Sequence, residues 1–197
     1  MHLILANFDQ ADFSQGKKRL TAGQQARLAT IKSEKAQSQF VWSRVLYNGL
    51  MRRITGALPT FELVAGKPHP SFTHEDQTYY TSISHTGSWV AVAFDTAPIA
   101  IDIETMKARE WQKLSEFAFP EATTQWIKST ASPLEAFYIV WGQMECDIKM
   151  KSYEKTSRLF RATKIKTQPN DLMLTCLCDS ESPWQPILLP ITLLENF

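Results

Sequence analysis

The chain has few cysteines and no long apolar run, and these shortages exclude several classes of protein. It has 197 residues with three cysteines, a net charge of +1 and 44% hydrophobic residues, which is typical of a folded globular protein. Its longest apolar run, residues 89–94, is far shorter than the ~18 residues of a membrane span. The first residues also lack the basic start and apolar core of a secretory leader. We therefore expect a cytoplasmic protein that does not bind membranes.

The three cysteines do not form an obvious pair or metal site. Cys176 and Cys178 are two residues apart, which suits one face of a strand and suits a disulfide poorly. Cys146 stands alone, and no Cys or His group has the spacing of a zinc site. The pattern predicts three free thiols in a reducing compartment.

Charge is balanced overall but not along the chain. The near-zero net charge argues against a protein that coats polyanions, so we expect no nucleic-acid partner. Residues 149–166 nevertheless hold one acid, Glu154, and several basic residues: Lys149, Lys151, Lys155, Arg158, Arg161, Lys164 and Lys166. This segregation fits an anionic ligand or an acidic partner, and it fits a solvated basic face equally well.

Hydrophobic periodicity and capping residues predict helices and strands in alternating groups. Thr21 and Gln24 form a capping-box pattern for a short helix to about residue 30, and Gly56 suits the end of a helix over residues 33–55. The sequence Ser132-Pro133-Leu134-Glu135 predicts the start of a helix that runs to about residue 151. The predicted strands are residues 3–6, 79–83, 89–94, 99–103, 159–166 and 172–178.

The order of these elements predicts an α+β fold. Helices precede strands twice, which suggests two similar α/β halves with a divide near residues 105–115. We place the halves at residues 1–105 and 106–197. Short turns between residues 79–83, 89–94 and 99–103 predict that these three strands form one antiparallel meander.

Two carboxylates alternate on one predicted strand. Asp102 and Glu104 face the same way, because side chains alternate along a strand, whereas Ile101 and Ile103 face the other way. Two acids on one face repel each other unless a positive charge lies between them, and Mg²⁺ suits such a site. A solvated acidic face is the simpler alternative.

Two further segments hold side chains that could contact an anionic ligand. Trp141, Glu145 and Lys149 lie at i, i+4 and i+8 on one helix face, where an exposed Glu–Lys pair beside a core tryptophan is the alternative. Ser84 and His85 end a strand and point to opposite sides, which argues against a Ser–His nucleophile and for separate ligand contacts. A purely structural turn is the alternative for this pair.

Four motifs occur in an order that resembles the Sfp-type 4′-phosphopantetheinyl transferases. They are Gly66-Lys67-Pro68, Ser82-Ile83-Ser84-His85-Thr86-Gly87, Ile101-Asp102-Ile103-Glu104 and the helix from Trp141 to Lys149. The resemblance covers most of the chain between about residues 40 and 151. It implies a 4′-phosphopantetheinyl transferase fold of two pseudo-twofold-related halves, with the active site in the cleft between them.

The resemblance also implies an activity and its partners. Enzymes of this family transfer the phosphopantetheine arm of coenzyme A to a serine hydroxyl of an apo acyl or peptidyl carrier protein, with Mg²⁺, and release adenosine 3′,5′-bisphosphate. A pseudo-dimeric chain of this kind is expected to work as a monomer in fatty-acid, polyketide or peptide synthesis.

The family's site residues carry over onto matching positions. Asp102, Glu104 and Glu145 match the acids that bind Mg²⁺, and Lys149 matches the lysine at the pyrophosphate. Phosphoryl transfer depends mostly on positioning and charge neutralisation, so Glu145, Lys149 and His85 are the expected catalytic groups.

The predicted contacts to the phosphates of coenzyme A are carried over in the same way, from Lys67, Ser84, His85 and Lys149.

Some positions depart from the family pattern. Gln39 and Met144 stand where the family often has Arg and Lys, Ala100 stands in place of Gly, and Cys146 in place of a small residue. Loss of a lysine at position 144 would remove one possible phosphate contact. Two alternatives therefore stay open: a weakened relative that binds coenzyme A or a carrier without efficient transfer, and a metal-dependent phosphoesterase that uses the same acids.

Overall fold

The computed structural model describes residues 1–56, 71–108, 111–151, 153, 158–179 and 186–189. The helices in these ranges are α1 (Phe13–Lys18), α2 (Ala22–Ala29), α3 (Glu34–Thr55), α4 (Trp111–Ala118), α5 (Glu121–Ser129) and α6 (Pro133–Met150). The strands are β1 (His2–Asn7), β2 (Ser71–His74), β3 (Gln77–Thr86), β4 (Trp89–Asp95), β5 (Ile99–Thr105), β6 (Leu159–Ile165), β7 (Leu172–Cys178) and β8 (Ile187–Leu189). The fold is a mixture of helices and two sheets, so the predicted α+β class is confirmed.

Capping side chains set the limits of the early helices as the sequence predicts. Thr21 and Gln24 make both bonds of the capping box at the start of α2. Ser33 accepts a hydrogen bond from the Ala36 amide at the start of α3, and Gly56 ends this helix with a left-handed φ of 71°. α1 was not predicted, although its Asp12 cap is a recognisable signal.

The larger sheet has the strand order β2-β3-β4-β1-β8. Neighbouring strands are antiparallel except for β1 and β8, which are parallel. α3 packs on this sheet through a core that includes Trp42, Tyr47 and Phe94, all almost fully buried. Burial of such large side chains contributes about 1.5–3 kcal/mol each and holds α3 against the sheet.

The smaller sheet has the order β5-β7-β6, and its composition corrects the predicted meander. β3 and β4 form the expected antiparallel pair, but β5 pairs with β7 and has no backbone ladder with β4. Ile101, Leu174 and Cys176 are fully buried between the two sheets with side chains of β1 and β4. The prediction was wrong because a short turn between sequential strands usually indicates a hairpin. In the structure β5 joins the second sheet instead, and its apolar side chains are buried between the two sheets.

α6 lies across β5 and β7 and approaches them very closely at Gly142. A Cβ atom at this position would lie 2.3 Å from Thr175 Oγ1, so only glycine allows the observed contact. Pro133 begins the helix as predicted, but the expected side-chain cap by Ser132 is not formed. The sequence did not predict α4 and α5, which pack on α6 through Ile127 and Phe137.

The two sheets mix strands from both predicted halves. β5, from residues 1–105, pairs with β7, and β8, from residues 106–197, pairs with β1. The pseudo-twofold arrangement and the boundary at residue 105 stay predictions. The three cysteines are free, as predicted, and all three are buried. None of the described helices has the length and apolar character needed to cross a membrane.

Candidate active site

Asp102 lies at the centre of a polar cluster where β3, β5 and α6 meet. This residue on β5 is buried, and its Oδ1 accepts hydrogen bonds from Ser84 Oγ at 2.9 Å and from Lys149 Nζ at 3.0 Å. Lys149 Nζ also donates to the Ile101 carbonyl at 2.7 Å. β3, β5 and α6 therefore each place one side chain of the predicted site into this cluster.

The second oxygen of Asp102 is available to a ligand. Asp102 Oδ2 is buried and has no hydrogen-bond partner within the described residues. A buried carboxylate oxygen without a partner is costly, and a hard cation such as Mg²⁺ would satisfy it. The donor chemistry of this atom fits the metal that the sequence predicts.

The other two predicted metal ligands lie nearby on β5 and α6 but do not complete a cluster. Glu104 is half-buried, and its Oε2 accepts a 3.5 Å contact from Thr86 Oγ1. Glu145 is half-buried on α6, one turn before Lys149. Within the described ranges, no group of three or more Asp, Glu, His or Cys side chains is close enough to hold a metal. A site that uses Asp102, Glu104 and Glu145 together thus stays a prediction.

His85 lies beside this cluster with its ring on the outer side of β3. Ser84 is buried and His85 is exposed, so the predicted opposite orientation of the two side chains is confirmed. Partial desolvation lowers the pKa of His85, and the positive charges of Lys149 and Arg44 act in the same direction. His85 is therefore neutral at pH 7 and can donate a hydrogen bond from one ring nitrogen. Lys67 lies outside the described residues.

Several basic side chains after α6 make hydrogen bonds or ion pairs within the described part of the chain. Arg158 Nη2 donates to the carbonyls of Met150 at 3.4 Å and Tyr153 at 3.1 Å, and Arg158 Nε lies 3.7 Å from Asp179 Oδ1. Lys164 pairs with Glu135 and Lys166 with Asp171. Arg158 thus secures the end of α6, and binding of an acidic partner by this basic segment stays a prediction.

The structure also explains what two departures from the family pattern do. Met144 is half-buried in a groove of about 400 Å³ with Phe119, Val140 and Ile148. It points away from the side of α6 on which Gly142 contacts Thr175, because residues two apart lie on opposite helix faces. The expected loss of a phosphate contact at position 144 stays a prediction. Gln39 Nε2 donates to the Gly87 carbonyl at 3.2 Å and supports the turn after His85.

The remaining two departures are packed inside the protein. Ala100 is fully buried, and its carbonyl lies 3.6 Å from Cys146 Sγ. Burial raises the pKa of Cys146 to about 12, so its thiol is protonated and unreactive at neutral pH. Cys146 is a packing residue beneath the site.

Parts of the chain are similar in sequence to curated 4′-phosphopantetheinyl transferases. A stretch of 83 residues is 32% identical to a Haemophilus influenzae protein assigned this name and covers 40% of this chain and 35% of the relative. The transferase psf-1 of Bacillus pumilus is 29% identical over 86 residues, covering 43% of this chain and 36% of the relative. Sfp of Bacillus subtilis is 35% identical over 71 residues, covering 36% and 32%.

These matches confirm the resemblance to 4′-phosphopantetheinyl transferases that the motifs indicate. The matched stretch spans about a third of the length of these 4′-phosphopantetheinyl transferases. No protein-family model matches the chain.

Sequence reasoning missed two residues that shape the candidate site. Thr86 contacts Glu104, and Thr175 Oγ1 donates to the Asp102 carbonyl at 3.4 Å. Thr175 gives no signal in the sequence, because its importance depends on the close approach of Gly142. Thr86 could have been found, since hydroxyl residues alternate at positions 82, 84 and 86.

Proposed function

We propose that this protein transfers the 4′-phosphopantetheine arm of coenzyme A to a serine hydroxyl of an apo carrier protein. The observation that carries the proposal is the buried Asp102 Oδ2 beside Lys149, which has no partner among the described residues, in a chain similar to 4′-phosphopantetheinyl transferases. This pair of groups suits a pyrophosphate. The carboxylate can bind a metal ion that neutralises the phosphate charge, and the ammonium group of Lys149 neutralises it directly.

Asp102 and Glu104 would hold Mg²⁺ on the face of β5, with Glu145 as the proposed third ligand from α6. When bound, the ion neutralises charge on the pyrophosphate and stabilises the leaving group. The buried Oδ2 atom and the half-buried carboxylate two residues later are the features of the structure that fit this ion.

The chain's own residues would position the reactants and move one proton. Lys149 supplies a positive charge that its bonds to Ile101 and Asp102 hold in place. His85 donates a ring N–H to a phosphate oxygen. Glu145 accepts the proton of the carrier serine hydroxyl in this proposal.

The bonds made and broken balance without another reactant. The serine oxygen forms a bond to the phosphorus that bears the pantetheine arm. The bond from that phosphorus to the bridging oxygen of the pyrophosphate breaks. Adenosine 3′,5′-bisphosphate leaves with the bridging oxygen.

The finer expectations belong to the same proposal. Residues 1–105 and 106–197 would form the two pseudo-twofold-related halves, and the protein would act as a cytoplasmic monomer. Its partner would be an acidic acyl or peptidyl carrier of fatty-acid, polyketide or peptide synthesis, because carriers of this kind contain the serine that accepts the arm.

Intact-mass analysis of an apo carrier protein tests this function. The carrier is incubated with this protein, coenzyme A and Mg²⁺, with a parallel sample that contains EDTA. We expect a mass gain of one phosphopantetheine arm that EDTA prevents. Coenzyme A binding by calorimetry without transfer to any of several carriers would contradict the proposal and support the binding-only relative. Release of adenosine bisphosphate without a carrier would support the phosphoesterase.

A further inference from the structure

Three hydroxyl side chains of β3 connect the two sheets in place of a backbone ladder. Their oxygens accept hydrogen bonds from alternate backbone N–H groups of β5, at 3.0, 3.2 and 3.2 Å. The pairs are Ser82 with Ile101, Ser84 with Ile103, and Thr86 with Thr105. We call these three contacts the hydroxyl ladder. It satisfies backbone donors of β5 on the edge that faces away from β7.

Two of the three hydroxyls also reach a carboxylate on β5. Ser84 Oγ donates to Asp102 Oδ1 at 2.9 Å, and Thr86 Oγ1 lies 3.5 Å from Glu104 Oε2. Ser82 makes the inter-sheet bond but has no carboxylate contact in the described part of the chain. At Ser84 and Thr86 the hydroxyl ladder therefore links the two sheets and also contacts the acidic side chains of β5.

A serine hydroxyl has a single proton to donate, and that of Ser84 is already used. Ser84 is buried, its proton points to Asp102, and one of its lone pairs accepts the Ile103 N–H. It has no second donor for a phosphate oxygen. This geometry differs from the direct phosphate contact that the family resemblance implies for Ser84.

We propose that Ser84 is a positioning residue that turns the Asp102 carboxylate so that Oδ2 faces the metal site. The inference rests on the proposed function. Ser84 and Lys149 both bind Oδ1, so rotation of the carboxylate would break both bonds. Oδ2 is thereby kept as the oxygen that no side chain or amide of the described residues contacts by a hydrogen bond. Residues that hydrogen-bond to a metal ligand commonly tune metal affinity in this way.

Ser84→Ala and Ser82→Ala form a matched pair for testing this role. Each removes one hydroxyl and one inter-sheet hydrogen bond, but only Ser84→Ala removes a bond to Asp102. Mn²⁺ binding to the full chain, measured by calorimetry and electron paramagnetic resonance, reports on the site without catalysis. We expect Ser84→Ala to weaken Mn²⁺ binding by about tenfold or more, and Ser82→Ala to change it by less than about twofold.

The effect of each substitution on folding stability must be distinguished from its effect on the orientation of the Asp102 carboxylate. Urea unfolding of both variants measures the stability that each loses, and Ser84→Ala should lose more because it removes two hydrogen bonds to β5 whereas Ser82→Ala removes one. If Ser84→Ala does not fold, Ser84→Cys takes its place, because a thiol is close in size and only a weak donor. Its Mn²⁺ affinity should also fall below that of Ser82→Ala.

Equal Mn²⁺ affinities for the two variants would overturn the inference, because the ladder would then be purely structural. Normal Mn²⁺ affinity with weakened binding of coenzyme A would also overturn it and restore a direct phosphate contact. Transfer by the wild type tests the proposed function separately. A selective loss of Mn²⁺ in Ser84→Ala would support the positioning role even if the wild type modifies no carrier.

Discussion

Lys149 Nζ lies 3.0 Å from Asp102 Oδ1, with side chains that are 18% and 8% exposed. This ion pair connects α6 to β5 at the point where the candidate site is deepest. The same lysine also binds the Ile101 carbonyl, so the ammonium group is held by two acceptors. The contacts of Lys149 therefore hold α6 against β5 and at the same time fix the geometry of the candidate site.

Replacing Lys149 with methionine should lower the free energy of unfolding and abolish transfer to a carrier. The change leaves the Asp102 charge unpaired in a nearly dry position, which typically costs about 3–5 kcal/mol. Urea unfolding measures the loss, and intact-mass analysis of a carrier measures transfer. The double variant Lys149→Met with Asp102→Asn should recover most of the stability and none of the transfer. Recovery of transfer in the double variant would show that neither charge is needed.

Gly142→Ala should separate α6 from β7. The added Cβ would lie 2.3 Å from Thr175 Oγ1, and such overpacking costs about 1–3 kcal/mol, partly offset by about 1 kcal/mol of helix propensity. Thermal unfolding should show a net destabilisation together with reduced transfer.

Gly23→Ala is the matched control for this substitution, because nothing lies within 4 Å of its added Cβ on α2. It should be neutral or stabilising. Adding Thr175→Ala to Gly142→Ala should restore part of the lost stability. An equal effect of both glycine variants would contradict the close contact.

His85 should titrate below the ordinary histidine pKa of about 6.5 in the free protein. As the pH falls below this value, the unfolded chain takes up the proton more readily than the native protein, so this group destabilises the fold at acid pH only. Proton NMR of the imidazole ring measures the pKa, with His85→Gln to assign the signal.

Binding of coenzyme A should raise the pKa of His85, because nearby phosphate charge favours the protonated ring. An unchanged titration at saturating coenzyme A would show that His85 does not contact the phosphates.

Arg158→Ala should reduce stability rather than affinity for a carrier. The guanidinium binds the carbonyls of Met150 and Tyr153 and lies beside Asp179, and loss of such charged hydrogen bonds costs about 1.5–3 kcal/mol. Lys151→Ala, at an exposed neighbouring position, is the control and should leave stability unchanged. A normal unfolding curve with a raised KM for the carrier would restore the docking role.

Local signals in the sequence predicted many of the individual elements. The Thr21–Gln24 capping box and Gly56 mark helix ends through contacts within a few residues, so they can be recognised without tertiary structure. Asp102 and Glu104 could likewise be placed on one strand face from the period of two.

Contacts between distant segments could not be predicted in this way. β5 joins β7 rather than β4, and its free edge is satisfied by Ser and Thr side chains instead of a backbone strand. Lys149 could be placed near the site, but its pairing with Asp102 requires the close approach of α6 at Gly142. Sequence periodicity describes faces of single elements and does not specify which faces meet.

The most direct test of the account compares carrier modification by the wild type and by Asp102→Asn. Asparagine keeps the shape of the side chain and can still accept from Ser84, but it removes the negative charge that a cation requires. With coenzyme A and Mg²⁺, intact-mass analysis should show a phosphopantetheine gain on the carrier with the wild type and none with Asp102→Asn, whose circular dichroism spectrum should match that of the wild type. Equal transfer by the two proteins would contradict the central role of Asp102.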